Sequence, residues 1–200
     1  MKNTLLVVGN DKIGARLLQR IPPTWPGHVV LDCSSSVTRV LRLLRRGSLP
    51  VGTFLRMAWA NAWRPQLPMP EYPRVGDISS LLEWIDKTQA NRVFLFRAGL
   101  IISQRALACG AQFLNTHCAR VPEYGGIGAI ARALADRAFL QVATLHHVTT
   151  RIDEGEVLDT QPYCLRPERS YRENEDLAYD AGIELLAKHL DLSSCIAHAA

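Results

Sequence analysis

"TLLVVGNDKIGARLLQRI", residues 4–21, decides the fold. A continuous apolar run closes at Gly9, and apolar residues then recur at helical spacing until the pair Pro22 and Pro23 stops the pattern. An apolar run without alternation is a strand buried on both faces, so helices must cover both sides of its sheet. The same grammar returns in "HVVLDCS" (28–34), "RVFLF" (92–96) and "AQFLN" (111–115), with helical segments expected at 38–46 and 77–88 between them. The pattern predicts an α/β class: a single Rossmann-like domain, residues 1–200, with a mainly parallel twisted sheet flanked by helices. Ligands of such sheets collect outside the carboxyl ends of the strands.

Composition narrows the possibilities. A net charge of +4 is too small for the basic stripe of a nucleic-acid binder, so nucleic acid is not an expected partner. No stretch approaches the roughly 18 apolar residues that a bilayer span requires, and the first apolar run is too short for a signal segment, which predicts no membrane partner and a cytoplasmic location. Five scattered cysteines without CxxC spacing predict reduced thiols, and no His or Cys pairs have zinc-ligand spacing, so no metal is expected.

The segment 47–75 reads as an insert: a helix over 54–63, then a connector carrying Pro65, Pro68, Pro70 and Pro73 that cannot form a regular helix or central strand. For its aromatics Trp59, Trp63 and Tyr72, core packing is the preferred reading over covering a substrate or joining a homodimer. The basic cluster Arg39, Arg42, Arg45 and Arg46 reads as a solvated helix face before an anion contact. "NEDLAYDAGIELLAKHL" (174–190) has an apolar face suited to packing on the sheet, with a homodimer contact as the alternative.

The turn at residues 9–14 invites a dinucleotide reading, because Asp32 ends the second strand where such folds carry a ribose-binding acid. The fingerprint is incomplete, since Asp11 puts a side chain and a negative charge where a pyrophosphate would approach. A plain strand-to-helix turn is preferred, with a substrate phosphate at the helix start kept open.

Two further stretches carry polar groups beyond strand ends: "FLNTHCARVPEYGG" (113–126) and "LHHVTTRIDEGEVL" (145–158). Taken singly, Asn115 could satisfy a strand end, His117 could be a loop histidine, and Asp153 with Gly155 a turn. His147 reads as strand packing or solvent-facing. Cys118 is disfavoured as a nucleophile beside His117, because adjacent residues of an extended chain point to opposite sides.

Jointly, these residues resemble the formyltransferase family that uses 10-formyltetrahydrofolate. The pattern Asn-x-His, a Pro-x-Tyr-x-Gly-like loop and His-x-Val-Thr-x-x-x-Asp-x-Gly is matched by Asn115 and His117, by Pro122, Tyr124, Gly125 and Gly126, and by His146, Val148, Thr149, Asp153 and Gly155. The resemblance covers about residues 91–163. It implies Asn115, His117 and Asp153 as the catalytic residues, with Asp153 ordering a water and relaying protons with His117. His146, Thr149 and Gly155 are then supporting residues, and Pro122, Tyr124, Gly125 and Gly126 form a substrate loop. The pterin would lie against Phe96, Arg97, Ala98, Gly99, Leu100, Ile101 and Ile102, read by backbone groups and an apolar slot. The implied co-substrate is 10-formyltetrahydrofolate, with no metal, and the implied activity is formyl transfer to a small amine, an amino sugar on a nucleotide or a related amine. Alternatives are a formyltetrahydrofolate hydrolase, a glycinamide ribonucleotide formyltransferase, and a folate-binding protein with little turnover. Two departures bear on the acceptor: Gly125 follows the Tyr directly, and Gly9-Asn10-Asp11-Lys12 stands where the glycinamide ribonucleotide enzymes carry a Gly-Asn-Gly-Ser-like phosphate turn.

Overall fold

The structure, a computed structural model, describes residues 3–34, 45 and 49–192. Among these, β1 (Thr4–Gly9), α1 (Lys12–Leu18) and β2 (His28–Asp32) are followed by α2 (Val51–Trp63), β3 (Arg74–Val75), α3 (Ile78–Thr88) and β4 (Arg92–Phe96). Then come α4 (Gln104–Leu107), β5 (Gln112–His117), α5 (Ala129–Ala135), β6 (Leu140–His147), β7 (Val157–Cys164) and α6 (Tyr171–His189). The helix expected at 38–46 lies outside the described residues, apart from an exposed Arg45. The basic cluster shares that position.

One sheet runs in the order β3-β2-β1-β4-β5-β6-β7. Pairings from β3 to β5 are parallel, and β6 and β7 add antiparallel strands at one edge. The unbroken apolar runs are explained by two-sided burial. Leu6, Val8 and Phe94 pack on one face with α1 and α6, while Leu5, Val7 and Val93 pack on the other with α3 and α4. Pro162 is tolerated within β7 because an edge strand has one side free of ladder bonds.

Strand β7 was hidden in a stretch whose Asp and Gly read as a turn, and β3 is two residues long, so neither showed a usable period. The helix of the insert begins three residues earlier than expected. The core reading of its aromatics is overturned for Trp59 and Trp63, which are largely exposed, whereas Tyr72 does pack against the core. Charge, not the indoles, holds this helix. Lys12 Nζ donates to the carbonyls of Asn61 (2.9 Å), Ala62 (3.2 Å) and Arg64 (2.7 Å), closing the open C-terminal carbonyls of α2. Buried Arg64 pairs with Glu175 at 2.6 Å and Asp176 at 3.0 Å on α6. Helix α6 starts in a reciprocal Ser170–Glu173 cap and buries Ala178, Ala181, Leu185 and Leu186, so its apolar face does pack on the sheet.

Candidate active site

The register of the two strands builds the site. Asn115 and His117 are two residues apart on β5 and share a face, and antiparallel pairing sets His146 directly opposite Asn115. The 148–156 connection folds back over that face, with Val148 in the same apolar cluster as Leu95 and Phe113, and delivers Asp153.

Asp153 is the hub. Its Oδ1 accepts from Asn115 Nδ2 at 3.2 Å and lies 3.4 Å from His146 Nε2. Its Oδ2 accepts from the Gly126 N–H at 2.7 Å and faces His117 Nδ1 at 3.3 Å. The residue holds a positive φ of 54°, an uncommon backbone state in which Asp is over-represented. Burial opposes ionisation, but the bond from His146, the proximity of His117 and the Gly126 N–H outweigh it and bring the carboxyl down to about 2. For His117, burial is the largest influence and lowers the imidazole below 6.5, against the upward pull of Asp153 and of the Tyr124 carbonyl. Near neutral pH the pair is therefore a carboxylate beside a neutral ring.

Hydrogen-bond geometry assigns the protons. His117 Nε2 lies 2.9 Å from the Tyr124 carbonyl, which can only accept, so the single proton of the neutral ring belongs there. That leaves Nδ1 bare and facing a carboxylate. His146 Nδ1 donates to the His147 carbonyl at 2.9 Å, and its Nε2 lies 3.2 Å from Asn115 Nδ2. Neutral, this ring accepts from Asn115; protonated, it donates to Asp153.

The other candidate residues take distinct places. Thr149 Oγ1 accepts from the Arg151 N–H at 3.2 Å and donates to the Arg151 carbonyl at 3.0 Å, shaping the loop instead of touching the triad. Gly155 sits against the His147 carbonyl with no room for a side chain. Tyr124 contributes its carbonyl to His117, while its hydroxyl donates to Asp136 at 3.3 Å. Gly125 lies where a Cβ would come within 3.1 Å of Asp153 Cβ, and Arg132 pins its carbonyl, so the Gly-Gly loop is held closely against the carboxylate. Pro122 lends its carbonyl to the Gly125 N–H at 3.2 Å.

Of the folate-loop candidates, Phe96 is fully buried in the cluster on the opposite face and Arg97 points to Asp11 and Tyr179, so both can offer only backbone here. Leu100 and Ile102 pack on the triad's face with Ala98 beside them, whereas Ile101 is exposed. Asp32 is no ribose ligand. It is buried and accepts from the N–H groups of Ser34 (2.7 Å), Leu100 (3.1 Å) and Gly99, which fixes the 97–103 loop. Its position at a strand end was legible, but the loop it serves lies 67 residues away in sequence.

The turn at 9–14 is the plain strand-to-helix turn that was preferred, but the pairing of Asp11 with Arg97 was not foreseen. Asp11 Oδ1 caps α1 through the N–H groups of Ile13 and Gly14, and Oδ2 lies 2.6 Å from Arg97 Nη2. The chain's own carboxylate thus occupies the position where a helix start would bind an anion.

No family model matches the chain. Among solved structures, it is similar to a sugar N-formyltransferase from a Shewanella species (13% identity, 95% of this chain and 69% of that one, TM-score 0.62). It is also similar to glycinamide ribonucleotide transformylase 1 from Geobacillus kaustophilus (17%, 92% and 94%, TM-score 0.62). A third is a phosphoribosylglycinamide formyltransferase from Campylobacter jejuni (15%, 100% and 99%, TM-score 0.59). At such identities the likeness is one of architecture: the chain has the formyltransferase fold, a mainly parallel sheet flanked by helices, with seven strands among the described residues.

Proposed function

We propose that the chain is an N-formyltransferase that moves a formyl group from 10-formyltetrahydrofolate to a small amine. The observation that carries this reading is one ionised carboxylate, Asp153, that accepts from Asn115 and the Gly126 N–H, lies 3.4 Å from His146 and faces a bare His117 nitrogen.

The residues fit the donor. Loops 97–103 and 148–156 lie over one sheet face, with Leu100, Ile102 and Val148 in a single apolar cluster. Each loop also exposes an isoleucine, Ile101 at 64% and Ile152 at 69%, apolar surface of the kind a flat heterocycle covers. Asp32 makes that surface rigid.

The donor supplies an electrophilic formyl carbon, at which attack by the amine nitrogen leaves negative charge on oxygen and a surplus proton on nitrogen. His117 Nδ1 can take that proton directly or through a water held by Asp153. The resulting imidazolium has an acceptor at each nitrogen, the Asp153 carboxylate and the Tyr124 carbonyl. The Asn115 amide is the donor for the oxyanion, once one of its two inward bonds is exchanged. His117 then returns the proton to the departing nitrogen.

The acceptor carries no phosphate at the Gly9 turn. A phosphate there would meet the Asp11 carboxylate, and three cations among the described residues are already engaged: Lys12 on carbonyls, Arg64 on Glu175, and Arg97 on Asp11. This weighs against a glycinamide ribonucleotide acceptor and leaves a small amine or an amine joined to a nucleotide elsewhere.

The decisive experiment measures tetrahydrofolate release from 10-formyltetrahydrofolate with and without a panel of amines. Release that depends on an amine supports transfer, release without one shows hydrolysis, and donor binding with no release reduces the chain to a folate-binding protein. The pH dependence is also predicted. Because burial lowers the His117 pKa, kcat at saturating amine rises as pH climbs through a midpoint below 6.5. In Asp153→Asn the carboxylate that raises that pKa is gone, so the midpoint of the residual activity moves lower. A shift to higher pH would contradict the assignment of His117 as the group beside Asp153 that titrates.

A further inference from the structure

Helix α2 is held at its C-terminal end by Lys12 and Arg64, yet its outer side is apolar and open. Val51, Leu55, Trp59 and Trp63 are 62%, 59%, 68% and 63% exposed. A spacing of four residues makes them one continuous ridge along the helix. Gly52, Ala58 and Ala62 are also exposed, Ala60 is its one fully buried residue, and Arg56 is its single charged residue. A helix with apolar residues on its outer side is normally covered.

We infer that this face pairs with the same face of a second copy of the chain. The ridge is self-complementary. Its first half is aliphatic and its second half is indole, so a two-fold axis beside Met57 lays Val51 on the partner's Trp63 and Leu55 on the partner's Trp59. Each large ring then meets a smaller side chain, and the same contacts recur in reverse, as an isologous interface requires. A cleft of about 300 Å³ beside the ridge, walled by Trp59, Trp63, Arg56, Tyr171 and Arg172, provides depth for the aliphatic half. The four ridge side chains expose on the order of 500 Å² per copy. Specific interfaces bury about 800 Å² per partner, so with the cleft walls the contact reaches the lower range of stable dimers.

Composition agrees, since Trp and Arg are enriched and other charges depleted in interface cores. The tilted Trp59–Trp63 pair, with ring centroids 5.5 Å apart, is an anchor of the type that dominates such contacts. A lipid surface is a poorer occupant, because interfacial helices are rich in Lys and Arg and α2 has a single Arg. The pairing also reaches the site. A Cβ at Gly128, two residues after Gly126, would come within 3.1 Å of Thr53, so α2 lies against the chain just beyond the loop that donates to Asp153.

The test is sedimentation velocity of the full chain from about 1 to 100 µM, the range expected for an interface of this size. The wild type is expected to approach the mass of two chains, with tryptophan emission shifting to the blue as it does. Leu55→Arg and, separately, Trp63→Gln are expected to sediment as monomers at every concentration, with unchanged circular dichroism because both positions are exposed in the single chain. A wild type that stays monomeric at the highest concentration overturns the inference, as does a dimer that Leu55→Arg leaves intact. Co-sedimentation of monomeric wild type with anionic phospholipid vesicles would assign the face to a membrane and overturn it equally. None of these outcomes depends on the proposed reaction.

Discussion

Asp153→Asn is expected to lower amine-dependent tetrahydrofolate release by about 100- to 10,000-fold while leaving donor binding within a few-fold of wild type. Asn keeps the size of the side chain, tolerates the positive φ at this position, and can still accept the Gly126 N–H through its carbonyl oxygen. What it removes is charge. The imidazolium that forms when His117 gains a proton loses its counter-ion, and the His117 ring no longer has a carboxylate to order a water beside Nδ1. A drop in kcat with little change in donor affinity would locate the defect in proton handling. Wild-type kcat in this variant would sink the proposed role of Asp153, whatever the fold.

The fold was legible because its signal is local. Leu5, Leu6, Val7 and Val8 are apolar in sequence and all buried in space, which only a strand covered on both faces allows. The candidate cluster was legible for a different reason: Asn115, His117, His146 and Asp153 lie on two short stretches that match one family pattern, and β5–β6 register brings those stretches together. What the sequence concealed are pairings over long separations. Asp32 with the Gly99–Leu100 backbone, Asp11 with Arg97, and Lys12 with the end of α2 each join residues that no periodicity links. An acid at the end of a strand reads as a ligand for a sugar until the loop that consumes its oxygens is known. Trp59 and Trp63 misled in the opposite direction, since an average preference for burial says nothing about which helix face is left outside.

Gly155→Ala is expected to be the most disruptive single methyl in the region of the candidate site. Gly155 lies where the chain returns from the Asp153 loop into β7, one residue before Glu156, whose carbonyl accepts the His147 N–H at 2.9 Å. The ladder between β6 and β7 is irregular at this point, between Leu145 and His146. A Cβ at 155 would overlap the His147 carbonyl oxygen and press on its carbon, both backbone atoms that cannot rotate away. The same carbonyl holds His146 Nδ1, so relieving the clash also releases the ring opposite Asn115. A forced backbone shift of this kind costs on the order of 3 kcal/mol, which for a chain of this size lowers Tm by about 6–12 °C. Gly126→Ala is the control. It too lies beside Asp153 and has a positive φ of 76°, but no atom stands within 4 Å of its added Cβ. Its cost is the backbone strain alone, about 1 kcal/mol, or roughly 2–4 °C in Tm. If crowding against His147 positions the Asp153 loop, Gly155→Ala loses activity even well below its Tm, whereas Gly126→Ala keeps most of it. Equal melting temperatures for the two variants would mean that the β6–β7 return has slack, and that Asp153 is positioned by its own hydrogen bonds instead of by the loop's path.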